Sequence, residues 1–173
     1  MNKTLLNIIR FVVLVLAQVL LVNHIRLGGY VHPYIYVIFI MLLSVTMPKW
    51  QVLTLGFVLG FCVDMFTGTP GLHAGATTLM AFCRPSVLRL VSGHQKLENV
   101  HEPNIGQLGG PWFLRYVACL VLVHHFALFF LESFSFLLLG QVFLRIVLSV
   151  PVSVFLIMMI LYLFDLGKKK ESH

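Results

Sequence analysis

The sequence predicts an all-α membrane protein with six transmembrane helices and with both termini in the cytoplasm. Of the 173 residues, 59% are apolar and 10% are charged, whereas soluble domains average about 45–50% apolar and about 25% charged residues. The apolar residues form runs that approach the roughly 20 residues needed to cross a bilayer. Together these observations indicate a single six-helix transmembrane domain over residues 1–173, with no room for a separate soluble domain of ordinary size.

Six apolar runs define the predicted spans. In chain order they are Leu5–Val22, Tyr30–Met47, Gln51–Phe66, Leu72–Val91, Trp112–Leu131 and Gln141–Leu166. The first is expected to be a retained span, because it is too long for the apolar region of a signal peptide and no A-x-A-like site follows it. A turn rich in glycine and proline, residues 67–71, joins spans three and four. The polar segment at about 92–111 is predicted to be a flexible cytoplasmic loop.

The lysines and arginines determine the predicted orientation. With the N-terminus in the cytoplasm, ten of these twelve residues lie on the cytoplasmic side, and Arg26 and Arg145 lie outside. This excess agrees with the positive-inside rule, and an odd number of spans would place Lys168–Lys170 outside. We therefore expect the net charge of +6 to face the membrane surface. Nothing indicates nucleic-acid binding, since no soluble element carries a basic face.

The stretch from Gly56 to Gly75 is the least ordinary part of the chain. Gly56, Gly60 and Asp64 are spaced by four residues, so they share one face of the third span. Gly71 and Gly75 repeat this spacing where the fourth span begins. Small residues at such positions let two helices approach closely in lipid. Two interpretations stay open for this face, namely packing between spans three and four or docking of a partner's transmembrane helix.

Asp64 is a charged residue in an apolar run, which costs about 2.5 kcal/mol or more at the centre of a bilayer. It could be a proton or ion site, or an interhelical hydrogen-bond anchor. The anchor is favoured, because Asp64 lies about two residues from the predicted external turn. Gly68 and Gly71 suit turn positions with positive φ, and Pro70 rigidifies the same turn. His73 is close enough in sequence to hydrogen-bond the carboxylate.

Few other residues suggest chemistry. His124 and His125 lie in the fifth span and Glu132 beside it, but one acid and an adjacent histidine pair do not supply the converging ligands of a zinc site. The sequence contains no nucleophile–base pattern, no phosphate-binding loop and no paired membrane carboxylates. We therefore predict no enzymatic activity, no metal and no cofactor.

An ordered set of residues between about 30 and 90 resembles a known family. Pro33 lies near the start of the second span, and a Pro-x-Trp ending in Trp50 follows its end. The pattern Gly-Phe-x-x-Gly-x-x-x-Asp-x-x-x-Gly then runs from Gly56 to Gly68, and a Gly-x-x-x-Gly begins at Gly71. This order resembles MreD, the rod shape-determining membrane protein family of bacteria, which is also similar in length and hydropathy. Spans five and six match only in character, and the 92–111 loop is longer than expected for the family.

The resemblance implies a non-enzymatic, multi-pass protein of the bacterial cytoplasmic (inner) membrane. MreD-like proteins bind MreC and act in the elongation (rod) complex with RodA, a class B penicillin-binding protein and MreB filaments. That complex inserts peptidoglycan into the side wall and sets cell shape. The family also resembles, in fold alone, the substrate-binding S components of energy-coupling-factor vitamin transporters. The helix-packing or partner-binding candidates are Gly56, Gly60, Asp64, Gly68, Gly71, Gly75, Pro33 and Trp50.

Two other functions stay open. An S component of a vitamin transporter commonly presents Ala-x-x-x-Ala on its first span, where this chain has only Ala17. An intramembrane enzyme would need polar residues that converge at membrane depth. Beyond Asp64 and the two histidines of the fifth span, the sequence has few candidates for such a site.

Overall fold

The computed structural model describes residues 3–24, 31–93, 100–133 and 139–171, and within these ranges every regular element is a helix. The helices are α1 Lys3–Leu20, α2 Ile38–Leu42, α3 Lys49–Thr67, α4 Leu72–Ser92, α5 Ile105–Leu108, α6 Gly110–Ser133 and α7 Leu139–Glu171. A short 3₁₀ helix, Val22–His24, follows α1. The predicted all-α fold class is confirmed.

Among the described residues, three helices are long and apolar enough to cross a membrane. They are α3, α6 and the Leu139–Phe164 part of α7, which correspond to the predicted third, fifth and sixth spans. The apolar part of α1, Thr4–Leu20, is shorter. The predicted fourth span is the 21-residue helix α4, which contains Arg84 and Arg89. The chain therefore has the character of a membrane protein, while the number of spans and the location of the termini stay predictions.

The long helices pack in chain order around a buried centre. α3 packs against α4, α4 against α6, and α6 against α7, while α1 lies on α2 and α3. Most of the largest fully buried side chains come from the segment around α2 and from α6. Large apolar side chains on the outer faces of α1, α3 and α7 stay exposed, as expected for helices that face lipid.

The segment predicted as the second span does not form a continuous helix long enough to cross a membrane, so six helical spans are not confirmed. Only the five residues of α2 are α-helical, and the chain on either side of α2, from 31 to 48, forms no other helix before α3. Pro33 contributes to this, since proline lacks an N–H and disfavours helical backbone before it. From Ile35 to Met41 the side chains are at most 6% exposed. Irregular backbone at membrane depth is tolerated where protein surrounds it.

Side chains from α1 and α7 satisfy the backbone of this buried segment. The Gln18 Oε1 accepts a hydrogen bond from Ile35 N–H at 2.8 Å, and its Nε2 donates to the Pro33 carbonyl oxygen at 3.2 Å. From α7, Ser149 Oγ accepts from His32 N–H at 3.0 Å and Ser153 Oγ accepts from Tyr34 N–H at 3.1 Å. Polar side chains thus provide the partners that buried peptide groups require.

Part of the predicted flexible loop at 92–111 is held by contacts. The His101 carbonyl oxygen accepts from Val45 N–H at 2.8 Å, and Glu102 pairs with Arg10 at 3.1 Å. Asn104 caps α5 by accepting from the N–H of Gln107 at 2.8 Å. Residues 100–110 of the predicted loop therefore contain a short helix and specific contacts with the rest of the chain. Residues 94–99 of the loop lie outside the described residues, as do residues 25–30 and 134–138, which are mostly connections between predicted spans.

Candidate functional site

The Asp64 carboxylate caps the first turn of α4. Asp64 is 2% exposed. Its Oδ1 accepts from the Thr69 hydroxyl and from His73 N–H, both at 3.0 Å, and its Oδ2 accepts from Gly71 N–H at 3.1 Å and Ala74 N–H at 2.9 Å. The first N–H groups of a helix lack partners within the helix, and negative charge is favoured there. Asp64 therefore joins the end of α3 to the start of α4.

Two glycines of α3 allow α4 to approach closely. A Cβ atom on Gly60 would lie 2.6 Å from the Cα of Ala74, which is backbone and cannot move aside. A Cβ atom on Gly56 would lie 3.1 Å from the carbonyl oxygen of Thr77. The face that carries both glycines is therefore occupied by α4 of the same chain.

The turn between α3 and α4 depends on glycine for its backbone conformation. Gly68 (φ +69°) ends α3, and Gly71 (φ +88°) precedes α4. Residues that carry a side chain rarely adopt this left-handed backbone conformation. Gly75 differs, because a Cβ there would meet only the flexible end of Leu131 on α6, at 3.2 Å.

The remaining two candidates lie apart from this hairpin. Trp50 is in the first turn of α3, with 66% of its surface exposed. Pro33 is in the buried segment before α2, where its carbonyl oxygen accepts from Gln18. Of the eight predicted residues, the structure brings five together at the α3–α4 hairpin, namely Gly56, Gly60, Asp64, Gly68 and Gly71.

A buried group of tyrosines and histidines lies next to the Asp64 cap. The Tyr36 hydroxyl is 2.7 Å from His124 Nε2, 3.0 Å from His73 Nδ1 and 3.3 Å from Thr77 Oγ1. Each of these four side chains is at most 5% exposed. We call this group, together with Tyr34 and His125, the Tyr–His cluster. It joins the segment before α2 to α4 and α6.

The hydrogen bonds of His125 are fully matched. Its Nδ1 lies 2.9 Å from the Val121 carbonyl oxygen, which can only accept, so Nδ1 carries the hydrogen. The Nε2 of the neutral ring then accepts from the Ser153 hydroxyl at 3.0 Å. Because Ser153 also accepts from Tyr34 N–H, the ring is held between α7 and the irregular segment.

The hydrogen bonds of His124 leave one buried acceptor open. Its Nδ1 has no partner among the described residues. Orphaned N–H groups are rarer in proteins than under-satisfied acceptors, which favours a hydrogen on Nε2 that is donated to the Tyr36 oxygen. Tyr36 can then donate to His73 or to Thr77. A hydroxyl between two imidazoles can pass a proton between them, which is the chemistry that this arrangement makes available.

The adjacent histidines do not point at a common ligand. His124 contacts Tyr36, whereas His125 contacts Ser153. Within the described ranges no three His, Cys, Asp or Glu side chains could share a metal ion. The sequence analysis identified both histidines but missed Tyr36, the partner of His124, because it treated the second span as a regular helix. Histidines inside apolar runs were the available signal.

Arg84, on α4, is a second buried charge that the sequence analysis missed. It is 2% exposed, and its Nε donates to the Tyr116 hydroxyl at 3.0 Å. Its other nitrogens donate to the carbonyl oxygens of Leu43 and Ser44, just after α2. Tyr116 in turn donates to the Met41 carbonyl oxygen at 3.1 Å. The sequence analysis counted Arg84 only as one of the cytoplasmic basic residues.

No family model, no curated protein and no solved structure matches this chain. The resemblance to MreD therefore depends on the order of residues in the motif. The geometry of the hairpin, the Tyr–His cluster and the Arg84 site comes from this chain alone.

Proposed function

We propose that this chain is an MreD-like, non-enzymatic component of the bacterial elongation (rod) complex in the cytoplasmic (inner) membrane. In this role it binds MreC and supports peptidoglycan synthesis by RodA and a class B penicillin-binding protein, alongside MreB filaments. Its contribution to the cell is control of shape. The ordered motif between Pro33 and Gly75 and the long apolar helices support the proposal.

The observation that carries the proposal is the structural role of the motif residues, which pack α3 against α4 and form the turn between these helices. Gly56 and Gly60 bring α3 against α4, and Gly68 and Gly71 form the turn between them. The Asp64 carboxylate accepts four hydrogen bonds, which matches the roughly four acceptor sites of an ionised carboxylate. It has no acceptor site left for an ion or a substrate. Residues used in this way suit a rigid scaffold better than a transport path.

The internal position of the glycines affects where MreC binds. Because α4 covers the face with Gly56 and Gly60, MreC contacts another surface, and the hairpin acts by holding that surface in shape. Substitutions in the hairpin therefore weaken the complex indirectly. A variant that keeps the hairpin intact should keep the complex.

The test is co-purification of the full chain with MreC of the same organism, together with microscopy of cells depleted of the chain. We expect MreC to be recovered with the wild type, and depleted cells to become round. Gly60→Leu should lower the recovery of MreC, because its side chain would displace α4. Gly75→Ala is the matched control and should leave recovery unchanged.

Two results would overturn the proposal. One is failure to recover MreC together with normal rods after depletion. The other is recovery of a transporter ATPase module in place of MreC, which would favour an S component of a vitamin transporter. Unchanged MreC recovery and unchanged rod shape with both Gly60→Leu and Asp64→Leu would refute the role assigned to the hairpin.

A further inference from the structure

A groove of about 600 Å³ separates α1 from α7. Its floor comes from the segment around α2 and from Phe113 of α6. Three side chains on its rim, Ile9, Val13 and Phe164, are 44%, 53% and 67% exposed, so the groove opens sideways to the surroundings. The volume lies within the range of about 300–1,000 Å³ that is typical of ligand sites.

The groove is polar only in one region. Arg10, Glu102 and Asn104 are its polar residues, and all other lining residues are apolar. On α1 the lining begins with Leu6 and Ile9, Arg10 follows, and the apolar lining then continues as far as Ala17. A polar region followed by a long apolar channel matches a molecule with a polar head and an apolar chain.

Arg10 has hydrogen-bond donors to spare. Its Nη1 donates to Glu102 at 3.1 Å and to Asn7 at 3.5 Å. Its Nε and Nη2 donate to no residue in the part of the chain that the structure describes. The Arg10 side chain is 20% exposed. Two neighbouring N–H donors of a guanidinium bind a phosphate in parallel, which a lysine cannot do.

The predicted orientation of the chain favours an anion at this place. With the N-terminus in the cytoplasm, the part of the groove that holds Arg10 lies toward the cytoplasmic side. Basic sites between transmembrane helices on that side are typical places for anionic lipid head groups.

We propose that this groove binds one anionic phospholipid, with its phosphate on Nε and Nη2 of Arg10 and one acyl chain along the apolar walls. A partner's transmembrane helix fits the charge pattern less well, since such a helix usually carries its own lysines and arginines on the cytoplasmic side. It would also leave the free donors of Arg10 without an acceptor. The proposal does not depend on the role in the elongation complex.

Native mass spectrometry of the full chain in mild detergent tests the head group. With added phosphatidylglycerol we expect one bound lipid, and we expect weaker binding of phosphatidylcholine. Arg10→Gln should lower the affinity for phosphatidylglycerol about tenfold or more, the effect of losing hydrogen bonds between charged groups. The matched control is Arg89→Gln, since Arg89 is exposed on α4 and does not line the groove.

A second pair of variants tests the apolar channel. Val13 lines the groove and Val12 does not, yet the two are exposed to a similar degree, 53% and 47%. We expect Val13→Trp to reduce binding of phosphatidylglycerol by blocking the channel, while Val12→Trp keeps it. Glu102→Gln should preserve or strengthen binding, because it removes a competing acceptor from Arg10.

Three outcomes would overturn the proposal. One is equal binding of both lipids that Arg10→Gln does not change. A second is equal loss of binding in Arg10→Gln and Glu102→Gln, which would assign a purely structural role to the ion pair. The third is crosslinking of a Val13→Cys variant, through the new thiol, to the helix of a partner protein and not to lipid.

Discussion

Two buried charges, Asp64 at the start of α4 and Arg84 further along α4, both form hydrogen bonds with backbone groups. The two differ in how far along the chain their partners lie. Asp64 accepts from N–H groups at the start of α4 that lie seven to ten residues away. Arg84, further along α4, donates to carbonyl oxygens that lie 40 and 41 residues away. The carboxylate thus fixes a local hairpin, whereas the guanidinium fixes a distant segment.

The sign of each charge follows from the groups that it serves. The start of a helix presents free N–H groups and its end presents free carbonyl groups. Asp64 meets the start of α4, and Arg84 meets the chain just after the end of α2. A charged residue at membrane depth can therefore serve the backbone without being part of a transport path.

The largest loss of stability is expected at Arg84, whose backbone partners lie far away along the chain. Arg84→Met should lower the free energy of unfolding by about 4 kcal/mol, because the buried carbonyl oxygen of Leu43 and the half-buried carbonyl oxygen of Ser44 would lose their charged donor, at about 1–3 kcal/mol for each unmatched group. Denaturant titration in detergent micelles measures this loss. Arg89→Met, an exposed position on the same helix, should change stability by less than about 0.5 kcal/mol. Equal effects of the two substitutions would refute the anchoring role.

A smaller loss of stability is expected at the contact between α3 and α4. Gly60→Ala should cost about 2–3 kcal/mol, because the new methyl group meets backbone atoms of α4 and the helices must move apart. Gly75→Ala is the matched control, since its methyl group meets only the flexible end of Leu131. The same titration should show little change for this control, or a small gain from the higher helix propensity of alanine. If both variants lose the same stability, close packing at Gly60 is not the reason.

The smallest loss of stability is expected at Asp64, which anchors the hairpin between α3 and α4. Asp64→Asn should cost about 1–2 kcal/mol, since an amide keeps only one acceptor oxygen and loses the favourable charge at the helix start. Hydrogen exchange should accelerate at the amides of Gly71, His73 and Ala74 while the amides near Arg84 keep their protection. Loss of protection at both places would mean that the two anchors are coupled.

The difference in distance also explains which features the sequence could predict. The Gly-x-x-x-Gly spacing, the turn and the acid near its start lie within twenty residues, so their local pattern led to a hairpin with Asp64 as a candidate anchor. The partners of Arg84 depend on how α2, α4 and α6 come together, which no local pattern contains. The irregular second segment was missed for the same reason, because a run of apolar residues looks alike as a buried helix and as a buried extended chain.

In the Tyr–His cluster, too, the sequence revealed local features but not contacts between distant parts of the chain. His124 and His125 were recognisable as polar residues in an apolar run, but their different roles depend on Tyr36 and Ser153, which come from two other parts of the chain. Adjacent residues on a helix point in different directions. The sequence argued against a zinc site from the small number of converging ligands, and it did not reveal these partners.

The irregular segment before and after α2 has a consequence for how the protein enters the membrane. A helical span satisfies its own peptide groups and can be released into lipid alone, but an extended segment cannot. Gln18 is available as soon as α1 has been made, whereas Ser149 and Ser153 are synthesised more than 100 residues after the peptide groups that they serve. The peptide groups of His32 and Tyr34 therefore gain these hydrogen-bond partners only after α7 has been made.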